Sequence, residues 1–395
     1  MKKKYFYFIA MLAFGLASCQ KGELLNSEAD IEEVIFPDWL KNVGVPLITT
    51  SSNTIRIPIL AVKEEDRIKL VEQLDSLTLK FILTEGATIF PSPCEPKNFN
   101  YPQQYTVTSE DGNWKKEYTI IFYYQLFLNT IFDFELARLN PETNPPTSRY
   151  YEFFEFNTLL KEEQRVWASG NPGFSLVAGT RPPEDYPTVS VANGRTGKGL
   201  KLTTRTTGFL GMLYRPPLPI AAGNLFLGNF ELARATTAPL QATKFGVQTT
   251  LSKPKSLDLW AKFKPGDVFT DRNRNPIEGR VDMPSIYAVF FEPEKDINGK
   301  PIMLDGTNVK TAPNIVSIAI ISPELAETIT VDDIDNAAYR FISIPFVHKQ
   351  NFDEVKQMRG EYYFTIVFSS SEYGDLFEGA VGSTLYVDDV ELVLE

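Results

Sequence analysis

The chain has 395 residues, of which 43% are hydrophobic and 13% aromatic, so it is long enough for about two domains with sizeable cores. Its formal net charge of −11 disfavours nucleic acid as a partner, because phosphate binding depends on Lys and Arg, and it also disfavours a strongly anionic polysaccharide. The single histidine, His348, excludes His-based zinc sites, Ser-His-Asp triads and Cys-His dyads.

Residues 1–18 have the pattern of a bacterial signal peptide. Lys2, Lys3 and Lys4 precede an apolar segment, residues 5–16, that is too short to span a bilayer. The segment ends in Leu-Ala-Ser-Cys19, which resembles the lipobox of bacterial lipoproteins. We therefore expect Cys19 to carry a lipid that anchors the protein in the outer membrane, on its periplasmic or cell-surface side. An ordinary signal peptide with an incidental Cys, or a signal anchor, is the alternative.

Residues 19–35 are polar and acidic, and we interpret them as the tether between the lipid and the first domain. Residues 36–125 then show short strands with alternating apolar side chains, interrupted by one helix predicted at 64–74. The residues 110–113, Glu-Asp-Gly-Asn, separate two such strands as a hairpin turn would. This pattern predicts a small Ig-like sandwich that acts as a spacer.

Residues 126–395 are predicted to form a second, larger all-β domain. Alternating apolar residues mark strands at 197–204, 257–263, 285–292, 315–321, 339–346, 361–369 and 384–395. The last strand contains two adjacent acids, Asp388 and Asp389, at which its register is expected to change. The stretch 206–236 has no strong periodicity, and we expect it to be a long functional loop.

Three separated pieces of this domain resemble jelly-roll carbohydrate-binding modules. They are Phe-Asp-Phe-Glu at 132–135, Gly-Lys-Gly-Leu-Lys-Leu at 197–202 and Tyr-Val-Asp-Asp-Val-Glu at 386–391. In such modules the first and last strands lie side by side, and their acids help to hold a structural calcium ion. The fold class implied is all-β, with a small Ig-like N-terminal sandwich followed by a larger jelly-roll β-sandwich.

The second domain is also similar to the putative carbohydrate metabolism domain found in lipoproteins of gut Bacteroidetes. This resemblance spans residues 130 to 395, about two-thirds of the chain, and implies a role in carbohydrate binding or turnover without defining a mechanism. The segments that carry it are residues 167–174, 211–217, 285–293, 304–307 and 377–383.

The resemblance implies that Asp133, Glu135, Asp388 and Asp389 come close together. Unpaired carboxylates at such a place repel one another and lose hydration, and a hard cation with oxygen ligands relieves both costs. A structural calcium ion that joins the first strand to the last is therefore one interpretation. The other is that one acid of each pair faces water while its neighbour accepts backbone N–H bonds.

Strand parity indicates where a sugar could stack. In the strand 257–263 the even-numbered residues face away from the core, and in 361–369 the odd-numbered ones do. Trp260 and Tyr363 are then aromatic platforms among polar neighbours, unless a covering loop such as 206–236 lies over them. The predicted sugar-binding residues are Trp260, Tyr363, Lys262, Asp258, Tyr214, Arg215 and Trp167.

Three functions remain open at this point. The first is a lipid-anchored, non-catalytic glycan-binding protein. The second is a glycoside hydrolase or another carbohydrate-active enzyme on the same sandwich, although the 50 acids of the chain single out no catalytic pair. The third is a structural or adhesive protein of the cell surface whose partner is another envelope protein.

Overall fold

The structure is a computed structural model that describes residues 25–49, 52–60, 64–124, 126, 129–140, 149–158, 161–297 and 299–395. The predicted signal peptide and Cys19 lie outside the described residues. The chain divides into two compact units, Met1–Tyr123 and Tyr124–Glu395. Within the described part of the chain, no helix is long and apolar enough to cross a membrane.

The first unit is built from antiparallel strands and one helix, α1 (Glu64–Asp75). Ile55, Ile57 and Ile59 are buried on one face of a strand, as their alternation predicted. The hairpin predicted around residues 110–113 is also confirmed, because the strands on its two sides, Gln103–Thr108 and Lys115–Tyr124, pair antiparallel. The strands are β1 (Ile31–Ile35), β2 (Leu47–Thr49), β3 (Thr54–Ile59), β4 (Lys80–Leu83), β5 (Thr88–Phe90), β6 (Gln103–Thr108) and β7 (Lys115–Tyr124).

These strands form two sheets, which confirms the all-β prediction for this unit. Five strands pair in the order β2-β3-β7-β6-β5, and β1 pairs separately with β4. Tyr105 and Val107 of β6 are buried, as are Tyr118, Ile120 and Phe122 of β7, so the apolar face of the hairpin lies in the core of the unit.

The second unit contains most of the strands of the protein. The strands are β8 (Ile131–Phe132), β9 (Ala137–Leu139), β10 (Tyr151–Phe153), β11 (Glu155–Asn157), β12 (Glu162–Gln164), β13 (Trp167–Ala168), β14 (Thr188–Val191), β15 (Gly199–Thr203), β16 (Arg205–Thr206), β17 (Ile220–Ala221), β18 (Asn224–Phe230), β19 (Thr243–Phe245), β20 (Val247–Thr249), β21 (Pro254–Lys264), β22 (Phe269–Thr270), β23 (Ser285–Phe291), β24 (Ile315–Ile320), β25 (Arg340–Pro345), β26 (Val347–His348), β27 (Tyr362–Ser369), β28 (Gly379–Ala380) and β29 (Thr384–Leu394).

Its helices are short and lie in the connections between strands. They are α2 (Asn171–Ala178), α3 (Gly208–Met212), α4 (Pro239–Ala242), α5 (Pro323–Ile329) and α6 (Glu354–Met358), with 3₁₀ turns at Pro183–Asp185, Leu232–Arg234 and Gly374–Leu376. Pro occupies the start of α2, α4 and α5, where its missing N–H costs no helical hydrogen bond.

Two antiparallel sheets make up the sandwich. The six-stranded sheet has the order β14-β15-β29-β21-β25, with β8 also paired to β29. The eight-stranded sheet has the order β13-β18-β27-β23-β24-β26, with β19 paired to β18 and β20 to β27. Their facing sides share one core, to which β21 contributes residues such as Leu259 and β27 residues such as Phe364. Each such large apolar side chain stabilises the fold by roughly 1.5–3 kcal/mol.

The last strand, β29, lies between β15 and β21 and also meets the first strand of the domain. Val390 is opposite Phe132, and both side chains are buried. Asp389 has a φ of 44°, and the pairing with β21 shifts register beside it. The predicted register change and the predicted neighbourhood of first and last strands are therefore both confirmed, as is the all-β jelly-roll arrangement that they implied.

The expectation of a long loop at 206–236 is wrong. The stretch includes β18, which lies inside the eight-stranded sheet and pairs with both β27 and β13. Leu225 and Leu227 face the shared core, whereas Phe226 faces the outer side of the sheet. Because both faces of β18 are covered, its sequence shows a continuous apolar run without the alternation that marks a half-buried strand.

Candidate functional site

Trp260 lies half-buried on the outer side of the six-stranded sheet, as strand parity predicted, but Arg195 covers one face of its ring. The guanidinium carbon of Arg195 lies 3.9 Å from the centre of the indole ring, and the Phe341 ring centre lies 5.6 Å away. Asp389 holds Arg195 in this position through an ion pair. A sugar could stack on this face of Trp260 only after Arg195 had moved.

The polar neighbours of Trp260 are also engaged. Lys262 is buried, its Nζ donates to the carbonyl oxygen of Ala337 at 3.0 Å, and burial lowers the pKa of its ammonium group. Asp258 accepts a hydrogen bond from Ser343 Oγ at 2.5 Å. The expectation that Lys262 lies open to a sugar is therefore wrong, since the side chain is enclosed beside the rings of Tyr339 and Tyr386.

Two other predicted sugar-binding residues, Tyr363 and Trp167, do not lie beside Trp260. Tyr363 belongs to the eight-stranded sheet, faces its outer side, and its ring centre lies 6.0 Å from that of Phe291. Trp167 is only 2% exposed, and its Nε1 donates to Glu155 Oε1 at 2.8 Å inside the core. The prediction that Trp167 lies in a sugar-binding loop is therefore wrong. Trp167 is a core residue whose indole N–H donates to a buried carboxyl group.

Two of the acids that the sequence singled out, Asp388 and Glu135, accept hydrogen bonds from the backbone of the loop at residues 195–198. Asp388 is fully buried, and its Oδ2 accepts backbone N–H bonds from Arg195 at 2.7 Å and Thr196 at 3.1 Å. Burial raises the pKa of Asp388 to about 6. Glu135 accepts the backbone N–H of Lys198 at 2.9 Å.

Asp133 accepts the backbone N–H of Glu135 at 3.2 Å. Among the described residues, no three Asp, Glu, His or Cys side chains are grouped so that they could hold a metal ion. The geometry corresponds to the backbone N–H interpretation of the acid pairs, and the structural calcium ion stays a prediction.

A cavity of about 380 Å³ on the outer side of the eight-stranded sheet is the main candidate site. Two rows of side chains form its floor, because the three strands β18, β27 and β23 are in register. Phe226, Val367 and Tyr287 form an apolar row, and Asn224, Ser369 and Ser285 form a polar row next to it. We call these sets the apolar row and the polar row.

Three charged residues line the cavity: Lys310, Glu372 and Asp375. Lys310 Nζ donates to Ser285 Oγ at 3.3 Å and lies 4.5 Å from the ring centre of Tyr287. Burial lowers the pKa of Lys310, while the charges of Asp375 and Glu372 oppose that shift. Asp375 is exposed as a whole residue, yet desolvation of its carboxyl raises its pKa, with Lys310 opposing.

Asp282 accepts hydrogen bonds from the loop that carries Glu372 and Asp375. This buried carboxylate accepts hydrogen bonds at Oδ2 from Ser371 Oγ at 2.6 Å, the Ala380 N–H at 2.8 Å and Ser383 Oγ at 2.7 Å. Burial raises the pKa of Asp282 and these hydrogen bonds oppose the shift. Two of these bonds hold the ends of the segment 371–380 and the third holds Ser383 just beyond it, so Asp282 positions the acidic side of the cavity.

Tyr214 is the predicted sugar-binding residue that lines this cavity. Its neighbour Arg215 is exposed at the surface, where its Nη1 donates to the carbonyl oxygens of Met212 and Tyr214, both at 2.9 Å. Sequence reasoning missed the buried part of the site, including Lys310 and Tyr287, because parity shows which side a residue faces but not which loops cover it.

A signal for the site was nevertheless present in the sequence. Each of the five segments that carry the family resemblance contributes to the cavity wall: 167–174 gives Phe174, 211–217 gives Tyr214, 285–293 gives Tyr287, 304–307 gives Thr307 and 377–383 gives Phe377. These segments are far apart in the chain, and the fold brings them together around one space. The arrangement provides aromatic rings, hydroxyl groups, one ammonium group and two carboxylates.

Family models match parts of both units, and the match to the second unit agrees with a carbohydrate-related role. The family described as the putative carbohydrate metabolism domain matches residues 133–393. The family described as "SGBP, N-terminal" matches residues 64–121. No curated protein is significantly similar to the chain.

Two solved structures are similar over most of their length. One, described as a putative glycoside hydrolase from Bacteroides thetaiotaomicron, is 38% identical, with 94% of this chain and 98% of that chain covered and a TM-score of 0.59. Another, described as a putative glycoside hydrolase from Bacteroides vulgatus, is 36% identical, with 67% of this chain and 98% of that chain covered and a TM-score of 0.57.

Proposed function

Because the chain belongs to the putative carbohydrate metabolism domain family, we propose that it binds a glycan in the cavity on the eight-stranded sheet and does not cleave it. The observation that carries this proposal is the convergence of the five family-like segments on the cavity wall. These segments lie apart in sequence and meet at one cavity, and a common ligand explains that meeting.

The cavity offers the two kinds of contact that sugars use. Tyr214, Tyr287 and Phe377 provide rings for the C–H faces of a sugar, and Lys310, Asp375 and the polar row provide groups for its hydroxyls. A volume of about 380 Å³ lies in the range of small-ligand sites and suits one or two sugar residues.

Glycoside hydrolysis is the second candidate, and two observations favour it. Both similar solved structures are described as putative glycoside hydrolases. Asp375, whose pKa is raised, has the property that a general acid needs.

Binding is preferred because hydrolysis requires carboxylates on the two sides of the scissile bond, roughly 5–10 Å apart. Glu372 and Asp375 come from a single loop and act on the same lysine.

We further propose that the protein is an outer membrane lipoprotein anchored through Cys19. The support is the order of three lysines, an apolar segment and Leu-Ala-Ser-Cys at residues 16–19. In the order of the chain, the tether and the first unit lie between Cys19 and the second unit, and the anchored protein would face either the periplasm or the medium. Other envelope proteins are the remaining class of partner for such a protein.

The test of glycan binding uses the detergent-solubilised full-length protein on a glycan array, followed by calorimetric titration of the best ligand. Lys310→Ala should weaken binding at least about tenfold, because it removes a charged hydrogen-bond donor from the site. Lys300→Ala, at an exposed lysine, is the matched control and should bind normally.

Trp260→Ala separates this site from the one expected on the six-stranded sheet. It should leave affinity unchanged, since Trp260 is not part of the cavity. Loss of binding in Trp260→Ala together with normal binding in Lys310→Ala would move the site to the other sheet and end the cavity proposal. Release of reducing sugar from the bound glycan, abolished by Asp375→Asn, would favour the hydrolase.

A further inference from the structure

The two rows of the cavity floor differ in what they can offer a ligand. Phe226, Val367 and Tyr287 lie side by side on adjacent strands and are almost entirely buried. Leu218, Ile220, Phe245 and Val309 are also buried and line the cavity. Part of the wall is therefore a continuous apolar surface, in which the Tyr287 hydroxyl is the one hydrogen-bonding group of these seven side chains.

The polar row is already used by the protein. Asn224 Oδ1 accepts the Gly170 N–H at 2.8 Å, and its Nδ2 donates to the Ala222 carbonyl oxygen at 3.2 Å. Ser369 Oγ donates to the Ser371 carbonyl oxygen at 3.0 Å. Part of the hydrogen-bonding capacity of the polar row is therefore used within the protein, and the remainder is available to sugar hydroxyls that lie next to this row.

A sugar hydroxyl placed against Phe226 and Val367 of the apolar row would lose its hydrogen bonds to water without gaining a partner from these two side chains, which is costly. A methyl group at the same place would instead gain from leaving water. The apolar row therefore discriminates between these two substituents, and the discrimination favours the methyl group.

The charges of the site act on a second property of the ligand. Lys310 is the one cation among the residues that line the cavity in the described chain, and Glu372 and Asp375 are two anions. With both acids ionised the local charge is negative, and it adds to the formal net charge of −11 of the whole chain. A carboxylate-bearing sugar is repelled by such a site, whereas a neutral one is not.

We propose that the cavity selects a neutral sugar residue that carries a methyl-bearing substituent, such as a 6-deoxyhexose or an N-acetylhexosamine, and places that methyl group on the apolar row. This inference rests on the proposed glycan-binding function. It adds the class of sugar and the residues that choose it: Phe226, Val367 and Tyr287.

Pairs of methyl glycosides that differ at one substituent test the inference on the detergent-solubilised full-length protein by NMR titration. L-fucoside against L-galactoside compares CH₃ with CH₂OH, and N-acetylglucosaminide against glucoside compares acetamido with hydroxyl. At least one methyl-bearing member should bind about tenfold more tightly than its partner, and glucuronide should bind more weakly than glucoside. Equal or weaker binding of both methyl-bearing members would overturn the inference.

Val367→Thr tests the residues themselves, because it replaces a methyl group with a hydroxyl at nearly constant volume. The variant should reduce the preference for the methyl-bearing sugar several-fold. Val289→Thr is the matched control: Val289 is buried in the same outer cluster but does not line the cavity, so the preference should be kept. If Val367→Thr does not fold, Val309→Thr makes the same change on another wall of the cavity.

Failure of this inference can be distinguished from failure of the proposed function. Binding of glycans without preference for a methyl-bearing residue, or with a preference that both Val367→Thr and Val309→Thr leave intact, rejects the selection and keeps the glycan-binding function. Absence of binding to any glycan on the array by protein with a cooperative melting transition rejects both.

Discussion

Glu155 is a carboxyl group enclosed in the second unit, with 9% of its surface exposed. Trp167 Nε1 donates to its Oε1 at 2.8 Å, and Asn129 Nδ2 donates to its Oε2 at 2.5 Å. Burial raises the pKa of this carboxyl from 4.5 to about 7, against the effect of both hydrogen bonds, and the charge of Asp133 adds to the increase.

This shift predicts a pH dependence of stability. Because the folded-state pKa is raised, the group favours folding below pH 4.5, and that contribution is lost as the pH rises toward 7. The loss is at most about 3 kcal/mol in the free energy of unfolding. Glu155→Gln stays neutral at every pH and should flatten this fall between pH 4.5 and 7 in urea unfolding curves.

Glu294→Gln, at an exposed acid, is the control and should keep the native pH profile. Asp282 and Asp388 are buried acids with raised pKa values and contribute in the same direction, so part of the slope should remain in Glu155→Gln. An unchanged slope in that variant would show that Glu155 is ionised in the folded protein near neutral pH.

The roles of Trp260 and Trp167 show what the sequence reveals at this scale. Parity correctly placed Trp260 on an outer face, but Arg195, which covers it, is held there by Asp389 from the far end of the chain. Trp167 stands in a Gly- and Asn-rich segment typical of loops, yet its indole packs 5.3 Å from the ring centre of Phe132. Neither contact has a local sequence signal.

At the scale of elements, one buried carboxylate holds the segment 371–380, together with the pairing of its last two residues, β28, to β22. Asp282 accepts two hydroxyl groups and one backbone N–H from this segment and from Ser383. Gly374 approaches Ala222 so closely that a Cβ at this position would lie 2.4 Å from the alanine Cβ. Both contacts set the place of Asp375 at the cavity.

Asp282→Asn should therefore loosen the acidic side of the cavity. If the side-chain oxygen of the new Asn keeps all three hydrogen bonds, its NH₂ group becomes a buried donor without a partner. The expected loss is about 2–4 kcal/mol in the free energy of unfolding. Glycan affinity should also fall, since the segment carries Glu372 and Asp375. Chemical unfolding and calorimetric titration measure the two effects.

Asp267→Asn, at an exposed acid, should change neither stability nor affinity. A destabilised Asp282→Asn variant that still binds glycan with native affinity would contradict the positioning role. It would leave Asp282 as a residue of the core alone.

The elements of the second unit differ in how far sequence could predict them. Strands with a simple alternation, such as β21 and β27, were predicted together with the side chains that face the core. β18 was missed because its two faces are buried by different partners, and Gly228 interrupts the apolar run. The cavity walls could be recognised only as family-like segments, because their meeting depends on the complete fold.

For the whole molecule, membrane attachment is the property most directly tested by a cysteine change. Cys19→Ala should abolish incorporation of a labelled fatty acid and shift the protein from the membrane fraction to the soluble fraction. Cys94→Ala is the matched control, since Cys94 is an exposed free thiol of the first unit, and it should keep both label and location. Persistence of the label in Cys19→Ala would reject the lipoprotein proposal.

The place of β29 sets the time at which the second unit can assemble. Val390 pairs with Phe132, 258 residues earlier, and contacts this distant in sequence form slowly. The six-stranded sheet lacks an inner strand until residues 384–394 have been synthesised. The second unit of a nascent chain therefore cannot complete its six-stranded sheet before the last strand is available, whereas the first unit contains all of its own strands.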